Sequence, residues 1–349
     1  MTSNPPEMSW FGALCDDDYE QLGVVRPELR SSWDHCRRIV SEAERIGFDN
    51  ILLPSGYSLG IDTVSFASSV APLTTRMKLL VAVRCGEVWP PQLARQLSTL
   101  DATLGGRLTI NIISSEMPGE TLDGPSRYRR TREVMKCLRI LMRGERLDFD
   151  GEFYALHLDP PRICVENSTD PVFYFGGLSD EAREVAAEEA DVYLMWPDTE
   201  AEVRRTIEDV RRRAARFGRT VRFGYRCHVV VRESEVEAIE AAQRLIAAVD
   251  DATGTVIRNR SLDSASAGVR RQAELRVESG DDGFVEDNLW TGIGRARSGC
   301  GAAIVGTPDQ VANKIGRYRD MGIDSFILSG YPHLDECTRF GESVLPLLA

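Results

Sequence analysis

Eight short apolar runs alternate with longer stretches of helical spacing, and this alternation constrains the fold more than any other feature of the chain. The runs fall at residues 10–15, 48–54 (FDNILLP), 78–83 (KLLVAV), 108–114 (LTINIIS), 172–175, 192–196, 222–231 and 325–328. Helical spacing is expected over 27–46, 64–74, 91–104, 126–141, 180–189, 200–217 and 234–249, with a hairpin at 147–156 turning at Asp150-Gly151. Because each unit repeats without a second composition type, the pattern favours an α/β (β/α)8 TIM barrel with insertion segments, one domain over 1–349, rather than a doubly wound sheet.

Run seven, RFGYRCHVVV, is dense in β-branched and aromatic residues and reads as a strand. Strand alternation puts Arg226, His228 and Val230 on one face. A buried arginine and histidine two residues apart are costly unless an anion meets them. Two explanations stand: an anionic cofactor or substrate, or a structural arginine paired with a core carboxylate.

A net charge of −12 and a pI near 5.0 leave no basic stripe for phosphates, which argues against a general nucleic-acid binder. No apolar run reaches the roughly 18 residues that span a bilayer, and MTSNPPEMSWFG lacks the basic and apolar regions of a signal peptide, so a cytoplasmic protein with no membrane partner is expected. The eight cysteines have no C-x-x-C spacing and the four histidines no H-x-x-x-H spacing, so reduced thiols and no metal site are expected.

Residues 250–287 are rich in Ser, Gly, Asp and Arg with little apolar periodicity. A structureless segment of that length is commonly a mobile lid or binding loop, and a partly helical structural insertion is the alternative. Beyond it, Thr307-Pro308-Asp309-Gln310 reads as a capped helix start. In a parallel barrel the site lies at the carboxyl ends of the strands. There the chain offers Gly176-Gly177 followed by Ser179, which can cradle a phosphate on backbone N–H groups, and Ser329-Gly330-Tyr331-Pro332-His333. No G-x-G-x-x-G opens a βαβ unit, so no nicotinamide dinucleotide site is indicated.

Five collinear segments, VRFGYRCHVVVRE, YFGGLSDEA, DVYLMWPD, DNLWTGIGRARSGCGAAIVG and GIDSFILSGYPHLDE, resemble the bacterial luciferase-like flavin-dependent monooxygenases, most closely the alkanesulfonate monooxygenases. The resemblance runs from about Trp33 to the end of the chain. It implies a two-component enzyme that uses FMN as FMNH2 and O2 as co-substrate to cleave the C–S bond of an organosulfonate, giving aldehyde and sulfite. An NAD(P)H-dependent FMN reductase would supply the reduced flavin, and a homo-oligomer, dimer or tetramer, is expected.

Residue by residue, the resemblance implies that Arg226 and His228 line the site and that Arg297 closes over it, with Tyr331 and Trp196 in the same pocket. It assigns flavin contacts to Asn111, Glu120, Arg127, Tyr128 and Ser179, beside Gly176 and Gly177. Two arginines suit a sulfonate, since a hydrogen bond to a charged group contributes roughly 1.5–3 kcal/mol. The chain departs from the alkanesulfonate enzymes at Leu59, where they carry a cysteine, and in a shorter loop over 114–127. A relative acting on another sulfur or nitrogen compound, and a deazaflavin-dependent oxidoreductase, are the alternatives.

Overall fold

All eight apolar runs become parallel strands that close on one another. The computed structural model describes residues 5–258, 266–297 and 299–348. The strands are β1 (Glu7–Phe11), β2 (Asn50–Leu53), β3 (Lys78–Arg84), β4 (Leu108–Ile113), β5 (Phe173–Phe175), β6 (Val192–Met195), β7 (Arg222–Val231) and β8 (Ser325–Ser329). Each pairs with its successor, and β8 returns to β1 with Glu7 opposite Ser325, completing the (β/α)8 barrel.

Polar residues start the helices that cover the barrel. Ser32, Asp62, Asp123, Ser179, Thr199, Ser234 and Thr307 each accept a hydrogen bond from the first helical turn. At Thr307 the expected capping box is present, with Pro308 opening the helix Pro308–Asp320. Apolar faces of these helices bury Val134, Leu138, Val203, Ile207, Val311 and Ile315 against the outside of the strands.

Inside the barrel, Phe11, Leu52, Leu80, Ala82, Tyr174 and Ile327 form the packed centre. Its lower end is closed by Glu7, whose carboxylate takes Tyr174 Oη at 2.5 Å and Lys78 Nζ at 2.8 Å. That inward glutamate explains why the first strand was expected at 10–15. A charge at the strand's start masks it, and the chain actually leaves the sheet at Gly12, whose amide reaches back to Leu52 O at 2.8 Å. The hairpin over Leu147–Asp150 and Ala155–Leu158 also differs from expectation. Its loop spans four residues rather than turning at Asp150-Gly151, because the buried Glu133 carboxylate accepts from the amides of Glu152, Phe153 and Tyr154.

Strand β7 is longer than its neighbours. Its first half pairs with β6 up to Tyr225, and its second half pairs on the same side with Ala303–Gly306, parallel, with Ala303 opposite His228. This extra strand lies beyond the eight expected. It ends the insertion, which is not structureless: Asp251–Arg258 and Ala267–Glu278 are helices, and Phe284–Glu286 pairs antiparallel with Leu289–Trp290. Residues 259–265 of the expected mobile stretch lie outside the described residues. The insertion is tied down by Lys314, fully buried, whose Nζ meets Glu286 at 2.6 Å and Glu200 at 2.8 Å.

Candidate active site

At the carboxyl ends of the strands lies a cavity of about 370 Å³ whose lining includes Arg84, Asn111, Trp196, Arg226 and Arg297. Its guanidiniums come from opposite walls, since β3, which ends in Arg84, and β7, which carries Arg226, stand four strands apart around the barrel.

Arg226 is buried, yet it has no carboxylate partner among the described residues. Its Nη1 donates to the Cys227 carbonyl at 2.7 Å, its Nη2 donates to Ser329 Oγ at 2.8 Å, and the ring of Phe11 lies 4.3 Å beneath the guanidinium. The structural explanation left open by the sequence, a core carboxylate, is thereby removed. A charge so held is neutralised by nothing but dipoles and a ring, and it is ready for an anion.

His228 follows on the same face. Its Nδ1 lies 2.7 Å from Ser329 Oγ, its ring stacks on Tyr331 at 5.1 Å, and its Nε2 is buried with no partner. Burial, reinforced by the charges of Arg226 and Arg297, holds its pKa well below the usual histidine value, so the ring is neutral. The Tyr331 hydroxyl is also buried without a partner, and burial pushes its pKa well up, keeping it a phenol. Both rings are buried, and the cavity lining includes Arg226 and Arg297 but neither His228 nor Tyr331.

Arg297 enters from the insertion and meets Asp17 at 3.0 Å. Trp196, just past β6, is pressed by the insertion: a Cβ at Gly268 would come within 2.9 Å of its ring, so only glycine permits the approach. Leu59 does line the cavity, and Cys15 joins it from the loop after β1, its thiol kept protonated by burial.

Of the residues expected to contact the flavin, Asn111 alone is in this lining. Ser179 caps the helix Asp180–Glu189, its Oγ accepting from Ala182 N at 3.2 Å. A Cβ at Gly176 would fall 1.8 Å from the Leu194 carbonyl, so the chain there must be glycine. Tyr128 sits edge-on to Phe175, and Arg127 has a buried Nε with no partner while its Nη1 donates to Leu122 O. Glu120 is engaged otherwise, its carboxylate gripping Arg130 in a two-pronged ion pair. A helix amino terminus with an adjacent glycine pair fits a phosphate, whereas the Arg127 guanidinium also lies 3.6 Å from the Glu116 carboxylate.

Sequence reasoning missed Arg84 and Asp17, and it gave Ser329 no role beyond its place in the Ser329–His333 segment. Arg84 is buried, donates to Ser55 O at 3.3 Å and pairs with Glu87 at 3.0 Å. The available signal was a charged residue closing an apolar strand at the end where barrel sites form.

A model of the luciferase-like monooxygenase family matches residues 14–325. The chain belongs to that family. Among curated relatives of this luciferase-like monooxygenase, the sulfoquinovose monooxygenase of Novosphingobium aromaticivorans is 61% identical over 347 residues, covering 97% of the chain and 96% of the relative. The sulfoquinovose monooxygenase of Agrobacterium fabrum is 50% identical over 343 residues, covering 97% and 89%. Among solved structures, EDTA monooxygenase from Chelativorans sp. BNC1 superposes with a TM-score of 0.80 at 16% identity, covering 99% of the chain and 93% of that structure. A riboflavin lyase gives the same TM-score at 18% identity, covering 99% and 91%. These two share the barrel, while the curated relatives bear names that specify a sulfonate.

Proposed function

We propose that this luciferase-like monooxygenase takes FMNH2 from a separate NAD(P)H-dependent reductase and uses O2 to cleave the C–S bond of a sulfonated sugar, sulfoquinovose in the first place. The observation that carries the reading is the buried, carboxylate-free guanidinium of Arg226 at the cavity. A sulfonate is a permanent anion with three acceptor oxygens, and Arg226 and Arg297 would hold it by charge-assisted hydrogen bonds. The names of the curated relatives support the sugar sulfonate over the alkanesulfonate that the motifs suggested.

Reduced FMN, when bound, supplies the two electrons that divide O2. Gly176, Gly177, Ser179, Arg127, Tyr128 and Asn111 would hold it, with its phosphate toward the Ser179 helix terminus. The balance is R–CH2–SO3⁻ + FMNH2 + O2 giving R–CHO + HSO3⁻ + FMN + H2O. A C–O bond forms, the C–S bond breaks, and sulfite leaves with the electron pair.

The protein's part is placement and exclusion of water. Arg226 and Arg297 fix the sulfonate, Tyr331 remains a phenol able to donate, and the neutral His228 presents its unused nitrogen beside them. The test is sulfite release from sulfoquinovose with FMN, NADH and an added FMN reductase. Sulfite that requires all components supports the reading. Absence of sulfite, or activity with a reduced deazaflavin in anaerobic buffer, overturns it.

A further inference from the structure

The run Asp16-Asp17-Asp18 gives its three carboxylates three different environments. Asp16 adopts φ 49°, a left-handed conformation rarely used outside glycine. It is held there by Ser31, whose Oγ accepts the Asp16 amide at 2.7 Å while the Ser31 amide donates to the Asp16 carboxylate at 2.8 Å. Asp18 is sealed in the core. Its carboxylate accepts from the His333 amide and lies 2.9 Å from His333 Nδ1 and 2.8 Å from His35 Nε2.

Between these clamps Asp17 has no freedom to drift, and it lines the cavity. It is 8% exposed; Oδ2 takes Arg297 at 3.0 Å, and Oδ1 is buried without any donor. A buried carboxylate oxygen without a donor is costly, and its persistence calls for a donor that arrives with the ligand.

We propose that Asp17 is a specificity-determining residue, accepting a hydrogen bond from a hydroxyl of the substrate and thereby selecting a hydroxylated sulfonate over an alkanesulfonate. This rests on the sulfonate-cleavage reading above. When Arg297 turns to a sulfonate, its guanidinium is shared between two anions, and the Asp17 carboxylate loses donor coverage where water does not replace it. A sugar hydroxyl restores the missing donor. A methylene leaves the carboxylate stranded, and a site built to bond a hydroxyl rejects strongly the analogue that lacks it. The lining also includes Ser55, Tyr57 and Ser58 from the loop after β2.

The experiment compares sulfoquinovose, its monodeoxy analogues and hexane-1-sulfonate in the sulfite-release assay, using wild type, Asp17→Ala and the shape-conserving Asp17→Asn. In wild type, removal of one particular ring hydroxyl should lower kcat/KM roughly 10- to 100-fold, the scale of one hydrogen bond to a charged group. In Asp17→Ala the same removal should change kcat/KM by no more than about twofold, because the partner is already gone. Asp17→Asn, which keeps a neutral acceptor and carries the comparison if the alanine variant does not fold, should fall between.

Equal losses on the parent sugar, every deoxy analogue and hexane-1-sulfonate would mean that Asp17 acts only through Arg297, and the proposal fails while the sulfonate reading stands. If wild type releases no sulfite from any compound, the reading itself fails and the proposal with it.

Discussion

The Ser329 hydroxyl links Arg226 to His228. It accepts from Arg226 Nη2 at 2.8 Å and lies 2.7 Å from His228 Nδ1, while His228 Nε2 is buried and unpartnered. The expected arrangement is a hydroxyl proton given to Nδ1, with the ring hydrogen on Nε2. Ser329→Ala should therefore lower kcat/KM roughly 10- to 100-fold through lost positioning. Imidazole 15N shifts provide the decisive readout: the variant should show mixed tautomers where wild type shows one, and an unchanged spectrum would refute the assignment.

Arg226 holds the substrate in the proposed reaction, so Arg226→Ala should remove turnover while FMN affinity stays within about twofold. Arg226→Lys keeps the charge but loses the planar fork that engages Cys227 O and Ser329 Oγ together, and it should recover only a minor part of the activity. Titration of FMN fluorescence against each variant, beside sulfite release, separates the two roles. A loss of flavin affinity as large as the loss of turnover would reassign Arg226 to the cofactor.

His228 makes stability pH-dependent with a definite sign. Its folded-state pKa is depressed by burial and by Arg226, Arg297 and His333, whereas the unfolded chain takes up a proton near pH 6.5. The stability it confers is complete above about pH 6.5 and is lost progressively as pH falls from there toward the folded value, at up to about 1.4 kcal/mol per pH unit. Urea denaturation of wild type and His228→Asn between pH 8 and 5 tests this. The variant's curve should be flatter over the acid half, and parallel curves would contradict it.

Ser179 caps a helix amino terminus beside the glycine pair. Ser179→Ala should weaken FMN several-fold more than riboflavin, because only FMN carries the phosphate that this terminus suits. Equal weakening of both ligands, measured by fluorescence quenching, would place the phosphate elsewhere.

Periodicity carried the barrel because a buried parallel strand must be apolar and its crossover helix must be amphipathic, and both leave a mark on the local sequence. Thus residues 180–189 and 222–231 were legible to the residue. Glu7 and the strand Ala303–Gly306 were not. The first is a charge facing inward, and the second pairs only because β7 outruns β6, a tertiary fact absent from its four residues. In the site, Arg226 and His228 were conspicuous as charge-bearing groups in an apolar strand. Asp17 hid in an acidic run that resembles any solvated loop, and only the fold shows that Asp16 and Asp18 immobilise it. Arg84 was lost at a strand boundary, where one residue separates an interior position from a cavity wall.

Because β7 continues past β6 and takes the end of the insertion as a parallel neighbour, the insertion departs from this strand through the helix Glu235–Ile246 and returns to the same strand at Ala303. A segment that begins and ends on one support can change its interior without altering the spacing of the other seven strands. The architecture thus separates two kinds of inheritance. The barrel keeps the groups suited to a flavin, and the excursion supplying Arg297 and the glycine that rests on Trp196 is free to follow the shape of the substrate.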